Sequence, residues 1–385
     1  MPISRLELTD FTVFKSASFD FSPGINVFIG ENGTGKSHLL KAMYAALREG
    51  SADQHQALLA KFTAVFRPEP PDLARLRRRG ADGEWMLRMQ DEQRRLFLLG
   101  WRGDASSARA SITRQIPPQP SLFVPPREVL AMYNGFVAAY EGRELDFDET
   151  YYDICKALGA APLRGVRAAA AAELLAPLAQ ILGGKVLLKG NRFFVQQRDG
   201  ETEAHLLAEG LRKIAGLAYL IANGTLTRDT VVFLDEPEAS LNPRLVAQMV
   251  LFVQALARAG VQVFLASHDF LLVHRLSQPA EHDIGQTPPI RFFSLFRPEP
   301  GAPVEVEAGA SLADIEHNAI LDEFAAYYHD ERAYTQREMV GHSSPPPTKA
   351  ATIKPPVTKS AAKKPAKKTT KKASKSAARK ASKRA

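Results

Sequence analysis

Residues 25–37 read INVFIGENGTGKS, in which a short apolar run leads into a glycine-rich loop that ends in Lys36-Ser37. Gly30 and Gly35 enclose four residues, and this spacing before Lys-Ser is the pattern of a phosphate-binding loop. Glycines let backbone N–H groups approach a phosphate, and the helix predicted over residues 37–48 adds the positive end of its dipole. The stretch therefore predicts a strand, a loop and a helix that together form a nucleotide-binding site. Its predicted contacts are Gly30, Glu31, Asn32, Gly33, Thr34, Gly35, Lys36 and Ser37.

A second apolar run, residues 230–234, ends in Asp235-Glu236. Hydrolysis of ATP needs a carboxylate that helps to hold Mg²⁺ and a group that orients or deprotonates the attacking water. We expect Ser37 and Asp235 to be the metal ligands, Glu236 to be the catalytic base and Lys36 to reach the β and γ phosphates. A strand that ends in two acids is common by itself, but downstream of a phosphate loop it indicates an ATPase that uses ATP and Mg²⁺.

Residues 25–37, together with FLDEPEASLNP at residues 233–243, resemble ABC-type ATPase heads of the SMC, RecF and OLD kind. The resemblance covers residues 1–330. It implies an α/β fold, a P-loop NTPase head of ABC type, which binds ATP between two protomers. An ATP-dependent homodimer is therefore expected.

Heads of this kind close the site with a short segment of the opposing subunit at a helix N-terminus. Residues 207–213 resemble that segment, with Gly210 at the position that lets the backbone approach the γ phosphate and Lys213 at a basic position. Ala208, followed by Glu209, replaces the usual serine, so one hydroxyl contact to phosphate is missing. We expect this change to affect turnover more than binding. A plain amphipathic helix start is the alternative interpretation.

Further positions follow from the same resemblance. Asn242 replaces the common aspartate of the loop that lines the dimer seam, and His268 follows an apolar run as the histidine that contacts the γ phosphate and takes part in catalysis. Arg127 and Glu128 occupy the place of the switch-region glutamine. They are candidates for nucleotide sensing.

The pattern along the chain predicts how this head is organised. From residue 206 onward strands and helices alternate, which favours a mixed or parallel sheet. Upstream, β-like segments predict an antiparallel subdomain, and helical patterning followed by a hairpin predicts a helical lid insertion. The predicted regions are the head at 1–330, its antiparallel subdomain at 50–120, its lid at 128–203, a closing helix at 324–339, and the helix end and linker at 331–342.

Two features of related machines are missing from the sequence. Residues 130–203 hold no sustained heptads, which excludes a long coiled-coil arm. Residues 277–341 hold no cluster of carboxylates typical of a nuclease, so we expect any nuclease or toxin effector to be a separately encoded partner.

The formal charge of +8 is distributed unevenly. The fourteen Lys and Arg residues after His342, with no acid among them, contribute +14 and leave −6 for residues 1–341. The Lys/Ala/Pro-rich tail, residues 343–385, resembles linker-histone-like tails and is expected to be disordered. We expect it to bind DNA or other nucleic acid without sequence preference, because it has many cations and no aromatic side chain to stack on bases. A solubilising extension is the alternative.

The cellular compartment can be predicted from features that the sequence lacks. Cys155 is the single cysteine, which excludes an intrachain disulfide and fits a reducing compartment. The N-terminal residues lack the apolar run of a signal peptide, and Arg167, Glu173 and Pro177 interrupt the longest apolar segment. We expect a cytoplasmic protein with no membrane partner, and association with the nucleoid is one option.

Three functions compete for this sequence. The motifs and the tail favour a soluble ATPase that acts in DNA maintenance and repair or in phage defence. The alternative is a nucleotide-gated scaffold that controls a separate toxin or nuclease with little turnover. The ATPase subunit of a membrane transporter is a third possibility. Three features argue against it, namely the sequence PEASLNP, the alanine at position 208 and the basic tail.

Overall fold

A six-stranded sheet lies under the predicted nucleotide site. The structure, a computed structural model, describes residues 1–48, 55–103, 109–282 and 287–342, with side chains as far as residue 335. Residues 1–330 form one unit and residues 331–385 a second. The predicted tail, residues 343–385, lies outside the described residues.

The described strands are β1 (Ile3–Phe11), β2 (Phe14–Asp20), β3 (Ile25–Ile29), β4 (Glu84–Asp91), β5 (Leu96–Arg102), β6 (Arg109–Arg114), β7 (Ser121–Val124), β8 (Lys185–Lys189), β9 (Arg192–Gln197), β10 (Gly200–Glu203), β11 (Val231–Asp235), β12 (Val263–Ala266), β13 (Ile290–Phe296) and β14 (Glu305–Gly309). The described α-helices are α1 (Lys36–Arg48), α2 (His55–Phe66), α3 (Tyr133–Glu141), α4 (Glu149–Leu158), α5 (Gly165–Leu182), α6 (Glu209–Ala222), α7 (Pro243–Arg258), α8 (Phe270–Glu281) and α9 (Ala319–His342).

The central sheet has the strand order β14-β13-β3-β12-β11-β7. Only the β13–β14 pair is antiparallel, and the other four pairs are parallel. Every residue of β3 and of β11 is buried, because both faces of these strands are covered, and such strands are largely apolar. The polar exceptions are Asn26, whose side chain exchanges hydrogen bonds with the Ser22 backbone, and Asp235. The predicted α/β P-loop head with a mixed sheet is confirmed.

Five phenylalanines, one from each parallel strand, stack across one face of this sheet. Neighbouring ring centroids lie 5.2–6.5 Å apart in the order Phe123, Phe233, Phe264, Phe28 and Phe293. Alternate positions such as Val27 and Leu234 join the core on the opposite face, because successive side chains of a strand point to opposite sides. The row of rings keeps the strands that carry the site residues in a fixed register.

The antiparallel sheet has the order β2-β1-β4-β5-β6 and extends beyond the expected residues 50–120. β1 and β2 belong to it, since Leu6 and Leu8 lie opposite Met89 and Leu87 of β4 in one apolar layer. Within the expected subdomain, residues 55–66 form the helix α2 and take no part in the sheet. Their apolar side chains recur at helical spacing, and those of Leu58, Phe62 and Val65 are buried.

The helical segment that was predicted to be a lid, residues 128–203, packs on the helix that follows the phosphate loop. Lys41 of α1 lies 2.8 Å from Asp148, which caps α4. Asp153 of α4 accepts hydrogen bonds of 2.6 Å from Tyr44 of α1 and from Lys61 of α2. After α5, the expected hairpin is a three-stranded sheet, β10-β9-β8, because residues 200–203 fold back onto β9.

α5 is the one helix among the described residues whose length and composition suit a membrane span. Its mean hydropathy is 1.3, and 17% of it is buried in the protein. Leu174, Leu178 and Leu182 join the same core as α6, so a helix of the lid explains the composition equally well.

The last part of the head holds a strand that sequence patterning missed. β14 pairs antiparallel with β13 through the partly exposed segment 305–309, which lacks an apolar run. α9 begins five residues before the expected closing helix, because Asn318 accepts a hydrogen bond from the backbone N–H of Leu321 and starts the helix.

Candidate nucleotide-binding site

Three loops meet at the carboxyl ends of the adjacent parallel strands β3, β12 and β11. β3 leads into residues 30–35, β11 ends at Asp235, and β12 leads into Ser267-His268. Ligands of open α/β sheets bind at this edge of the strands. The sheet thereby joins Ser37 to Asp235, which are 198 residues apart in sequence.

The phosphate loop is held in shape by its own lysine and glycines. Lys36 Nζ donates hydrogen bonds to the carbonyls of Gly30 and Glu31, at 2.7 and 2.9 Å. Gly30 has a φ of +137°, and a side chain there would overlap the backbone carbonyl of Leu295. Burial lowers the pKa of Lys36, although nearby carboxylates oppose the shift. A buried cation is therefore ready at the loop, where polyphosphate charge would stabilise it.

The remaining loop residues divide by exposure. Thr34 is buried, and its hydroxyl donates to the Glu31 carbonyl at 2.8 Å. Glu31, Asn32 and Gly33 are exposed, so their backbone groups are accessible to a ligand. Gly35, with a φ of +92°, precedes the first residue of α1.

Ser37 and Asp235 fit a magnesium site. Ser37 Oγ donates a hydrogen bond of 2.9 Å to Asp235 Oδ1, so a hydroxyl and a carboxylate oxygen lie side by side. Such hard oxygen ligands, in small number beside phosphate, are what Mg²⁺ uses in nucleotide sites. Burial raises the pKa of Asp235 to about 6, with a smaller contribution from Glu236, because the carboxylate lies in the interior. A divalent cation would compensate that buried charge.

Glu236 follows immediately and lies 3.3 Å from a ring nitrogen of His268. The side chain of Glu236 is 31% exposed and that of His268 is 51% exposed, so both reach the open edge of the sheet. Glu236 has a φ of +47°, a left-handed conformation that costs a residue with a side chain roughly 1–3 kcal/mol. From this turn the carboxylate of Glu236 reaches His268 on the loop after β12.

Lys213 of α6 holds that turn from the same chain. Its ammonium donates a hydrogen bond of 3.0 Å to the backbone carbonyl of Glu236. Burial lowers the pKa of Lys213 to about 8, against the attraction of Glu238 and other carboxylates. Sequence comparison placed Lys213 only at a basic position of the subunit-closing segment. Nothing in residues 207–213 indicates the Glu236 carbonyl as its partner.

Glu238 is a residue that sequence analysis did not single out. It is buried, and its carboxylate accepts a hydrogen bond of 2.7 Å from Ser267 Oγ. Ser267 Oγ in turn accepts from the backbone N–H of Asp269. This chain of contacts connects the loop after Glu236 to the loop that carries His268. An acidic residue two positions after Glu236 was the available signal.

The segment predicted to close a partner's site forms the start of α6. Ala208 is the N-cap residue, has no side-chain capping hydrogen bond, and is followed by Glu209 and Gly210 in the first turn. A Cβ on Gly210 would lie 2.7 Å from the Ser240 carbonyl, so the glycine permits close packing on the loop after Glu236. Asn242 caps α7 by accepting a hydrogen bond of 3.0 Å from the Leu245 N–H. Both segments thus flank the Glu236 loop in one chain.

Glu128 contacts α6. One of its carboxylate oxygens accepts a hydrogen bond of 2.6 Å from Arg212, and the other accepts from the Ala131 N–H. The side chain of Glu128 is 7% exposed. Nucleotide sensing by Arg127 and Glu128 stays a prediction, and for Glu128 it would act through the position of α6.

Comparison with known proteins agrees with this geometry. A family model described as "AAA ATPase domain" matches residues 1–89, and one described as "AAA domain, putative AbiEii toxin, Type IV TA system" matches residues 107–274. The DNA replication and repair protein RecF of Acidothermus cellulolyticus is 52% identical over 48 residues, which are 12% of this chain and 13% of that protein. RecF of Lactobacillus gasseri is 48% identical over 67 residues, 17% of this chain and 18% of that protein. The match therefore spans less than a fifth of either relative.

Among solved structures, an Smc head bound to the C-terminal winged-helix domain of ScpA is similar in fold. It has a TM-score of 0.50 and 13% sequence identity, and the match covers 80% of this chain and 98% of that one.

Proposed function

We propose that the chain has an ABC-type ATPase head of the SMC and RecF kind, as the matches to AAA-family models, RecF proteins and an Smc head support. It binds ATP with Mg²⁺, hydrolyses it as a homodimer and acts on DNA. The field of action is DNA maintenance and repair or defence against foreign DNA. The observation that carries the proposal is the hydrogen bond between Ser37 and Asp235 beside Lys36, next to the pair formed by Glu236 and His268.

Each of these side chains has a role that its chemistry supports. Lys36 would exchange the loop carbonyls for the β and γ phosphates of ATP. Ser37 and Asp235 would hold Mg²⁺, which when bound neutralises charge on the phosphates. Glu236 would take a proton from the attacking water, and His268, at 3.3 Å, would orient that carboxylate or the γ phosphate.

The position of the α6 N-terminus supports the proposed dimer. Backbone N–H groups at a helix start attract phosphate, and residues 208–210 present such a start. In the proposed dimer this segment meets the γ phosphate of the partner's ATP, and Asn242 lies at the seam. The tail, residues 343–385, would keep the dimer on DNA through charge alone.

The proposal is tested by comparing wild type, Lys36→Ala and Glu236→Gln in ATP turnover, ATP binding and ATP-dependent dimerisation. Loss of the base should lower turnover by roughly 10²–10⁴-fold and trap an ATP-bound dimer, whereas the Lys36 variant should neither bind nor dimerise. Glu92→Gln, at an exposed position, is the matched control. A Glu236→Gln protein that hydrolyses ATP at the wild-type rate, or that never dimerises, refutes the proposal.

The role of the tail has its own test. Removal of residues 343–385 should abolish most salt-sensitive DNA binding and leave ATP binding intact, because its fourteen cations contribute a salt slope of roughly −10 if most of them meet phosphates. Equal DNA affinity of the shortened protein would assign DNA binding to the head instead.

Ala208 favours one second candidate, a nucleotide-gated scaffold that controls a separate effector with little turnover. The N-cap position has no side-chain hydrogen bond here, and a serine would supply one to the helix start and another to phosphate. Ala208→Ser should therefore raise turnover if the chain is a slow switch. Wild-type turnover that matches Ala208→Ser, with or without DNA, contradicts the scaffold.

A further inference from the structure

The first part of α9 is an exposed helix with an aromatic face. Every residue from 321 to 330 is exposed, although four of the side chains are large and apolar or aromatic, namely Leu321, Phe324, Tyr327 and Tyr328. At about 100° per residue, these four side chains fall within about 120° of the helix circumference. A contiguous exposed face of this kind indicates a contact with another molecule.

The core of the head holds the start of this face in place. Ile320 packs against the main core, and the ring of Phe324 stacks on that of Phe270 of α8 with the ring centroids 4.1 Å apart. Tyr327 and Tyr328 lie one turn further along α9 and are 60% and 61% exposed. The two tyrosines are therefore held in position by the helix and remain open to a ligand.

Carboxylates accompany the aromatic face. Residues 319–330 contain Asp322, Glu323 and Asp330 and neither Lys nor Arg, so their formal charge is −3 with histidine neutral. Glu323 and Asp330 lie four residues before and three residues after Tyr327, and these spacings place both carboxylates beside its ring on the helix surface. Among the described residues, no ion pair joins the three acids to a cation. The surface is thus both aromatic and anionic.

This combination selects a partner with apolar and cationic side chains. Aromatic faces attract ammonium and guanidinium groups, and carboxylates beside them form hydrogen bonds with the same cations. A helix whose anchoring side chains recur every three or four residues packs on another helix with the same spacing. The matching ligand is an amphipathic helix whose apolar face is bordered by Lys or Arg.

Charge and composition disfavour the other occupants. A second copy would bring the same acidic segment against itself, and like charges across a contact oppose binding. DNA and anionic membranes are repelled for the same reason. The chain's own tail, residues 343–385, is cationic, but Ile353 and Val357 are its only large apolar side chains, too few to cover an aromatic face of three turns.

We propose that residues 319–330 form a docking surface for a separately encoded protein that presents a basic amphipathic helix. Tyr327 and Tyr328 contact the apolar side chains of that helix, and Glu323 and Asp330 pair with its cations. The proposal goes beyond the proposed function, since it involves neither nucleotide nor DNA and does not depend on hydrolysis.

The test uses the full chain and a fluorescein-labelled peptide of about 18 residues, roughly five helical turns, with leucine on one face and lysine on the other. Affinity is measured by fluorescence anisotropy at about 0.15 M salt. The variant Tyr327→Ser/Tyr328→Ser should bind at least about tenfold more weakly, because aromatic anchors carry much of the energy of such contacts. The matched control Val166→Ser/Leu251→Ser removes two other exposed apolar side chains, 86% and 52% exposed, and should bind like wild type.

A charge reversal tests the acidic residues without removal of the aromatic face. A second peptide, in which glutamate replaces every lysine, should bind wild type at least about tenfold more weakly than the lysine peptide. Glu323→Lys/Asp330→Lys should lose affinity for the lysine peptide and gain affinity for the glutamate peptide. A gain of this kind requires a folded surface, so it separates docking from loss of the helix.

Amide hydrogen exchange on the same full chain locates the bound peptide. The lysine peptide should slow exchange in residues 319–330 and leave the hairpin at 185–197 unchanged. Protection confined to other segments overturns the proposal, as does wild-type affinity of the tyrosine variant or equal affinity of wild type for the two peptides.

Two further outcomes would identify a different occupant and show that the proposal is wrong. One is self-association of wild type without ATP that Tyr327→Ser/Tyr328→Ser abolishes, because a second copy would then cover the face. The other is a rise in affinity for the lysine peptide of at least about tenfold on removal of residues 343–385, because the tail would then be the competing ligand.

Discussion

Replacement of Lys213 by methionine tests how the catalytic loop is held. The ammonium of Lys213 donates to the Glu236 carbonyl at 3.0 Å, and Glu236 has a left-handed φ of +47°. A hydrogen bond from a charged donor contributes roughly 1.5–3 kcal/mol, and the left-handed turn costs a similar amount, roughly 1–3 kcal/mol. Without Lys213 the turn relaxes and the carboxylate moves. We expect kcat to fall on the order of 10- to 100-fold.

Steady-state kinetics separates this role from a structural one. The KM for ATP should stay within about twofold, because the described hydrogen bond of Lys213 goes to Glu236 and not to the phosphate loop. The pKa of Lys213 is lowered to about 8 by burial, so its ammonium is lost as the pH rises through 8 and wild-type kcat should decline there. Lys213→Arg should restore activity and keep it at higher pH, because an arginine stays charged.

Two results would refute the reasoning. One is a Lys213→Met enzyme with wild-type kcat. The other is an alkaline decline that is the same in Lys213→Arg as in wild type, since a group other than Lys213 would then be titrating. Circular dichroism at each pH checks that the protein remains folded.

The remaining predictions concern the stability and accessibility of the head. Lys61→Met leaves the buried carboxylate of Asp153 without its cation and should lower the free energy of unfolding by about 3–5 kcal/mol, or Tm by roughly 10 °C. The double variant Lys61→Met/Asp153→Asn should recover most of this stability. An unchanged melting curve of Lys61→Met contradicts the prediction. Cys155 is fully buried and its pKa is raised to about 12, so iodoacetamide should label it only in urea. Rapid labelling of the native protein would show an open core. Gly30→Ala should weaken binding of a fluorescent ATP analogue at least about tenfold, because its Cβ overlaps backbone, whereas Gly260→Ala, with open space around it, should bind normally.

The parallel core could be predicted because its residues satisfy a local rule. A strand covered on both faces is largely apolar, and the runs at 25–29 and 230–234 follow this rule except at Asn26 and Thr230. The side chains after these runs are polar where a chain leaves a sheet edge, so the proximity of Ser37 and Asp235 follows from parallel pairing. Sequence alone therefore gives the centre of the candidate site.

Other features depend on contacts that no local pattern reveals. Residues 55–66 contain both helix-forming and β-branched residues, so local propensity alone does not select a helix. They form a helix because one face of it packs against α1. The 305–309 strand forms because β13 offers an edge. Lys213 and Glu238 acquire their roles from partners 23 and 29 residues away. The arginines at 75–79 share a cleft with Arg297 only because β13 ends opposite them.

The position of β3 between β12 and β13 has a consequence for synthesis of the protein. A ribosome adds roughly 5–20 residues per second, so residues 25–29 wait roughly 10 to 50 s for the two neighbours that cover their edges. During that time an apolar strand with free backbone groups is open to other nascent chains. Fragments that end before residue 296 are therefore expected to aggregate, and the yield of soluble head should depend on chaperones that shield β3 until translation of its neighbours is complete.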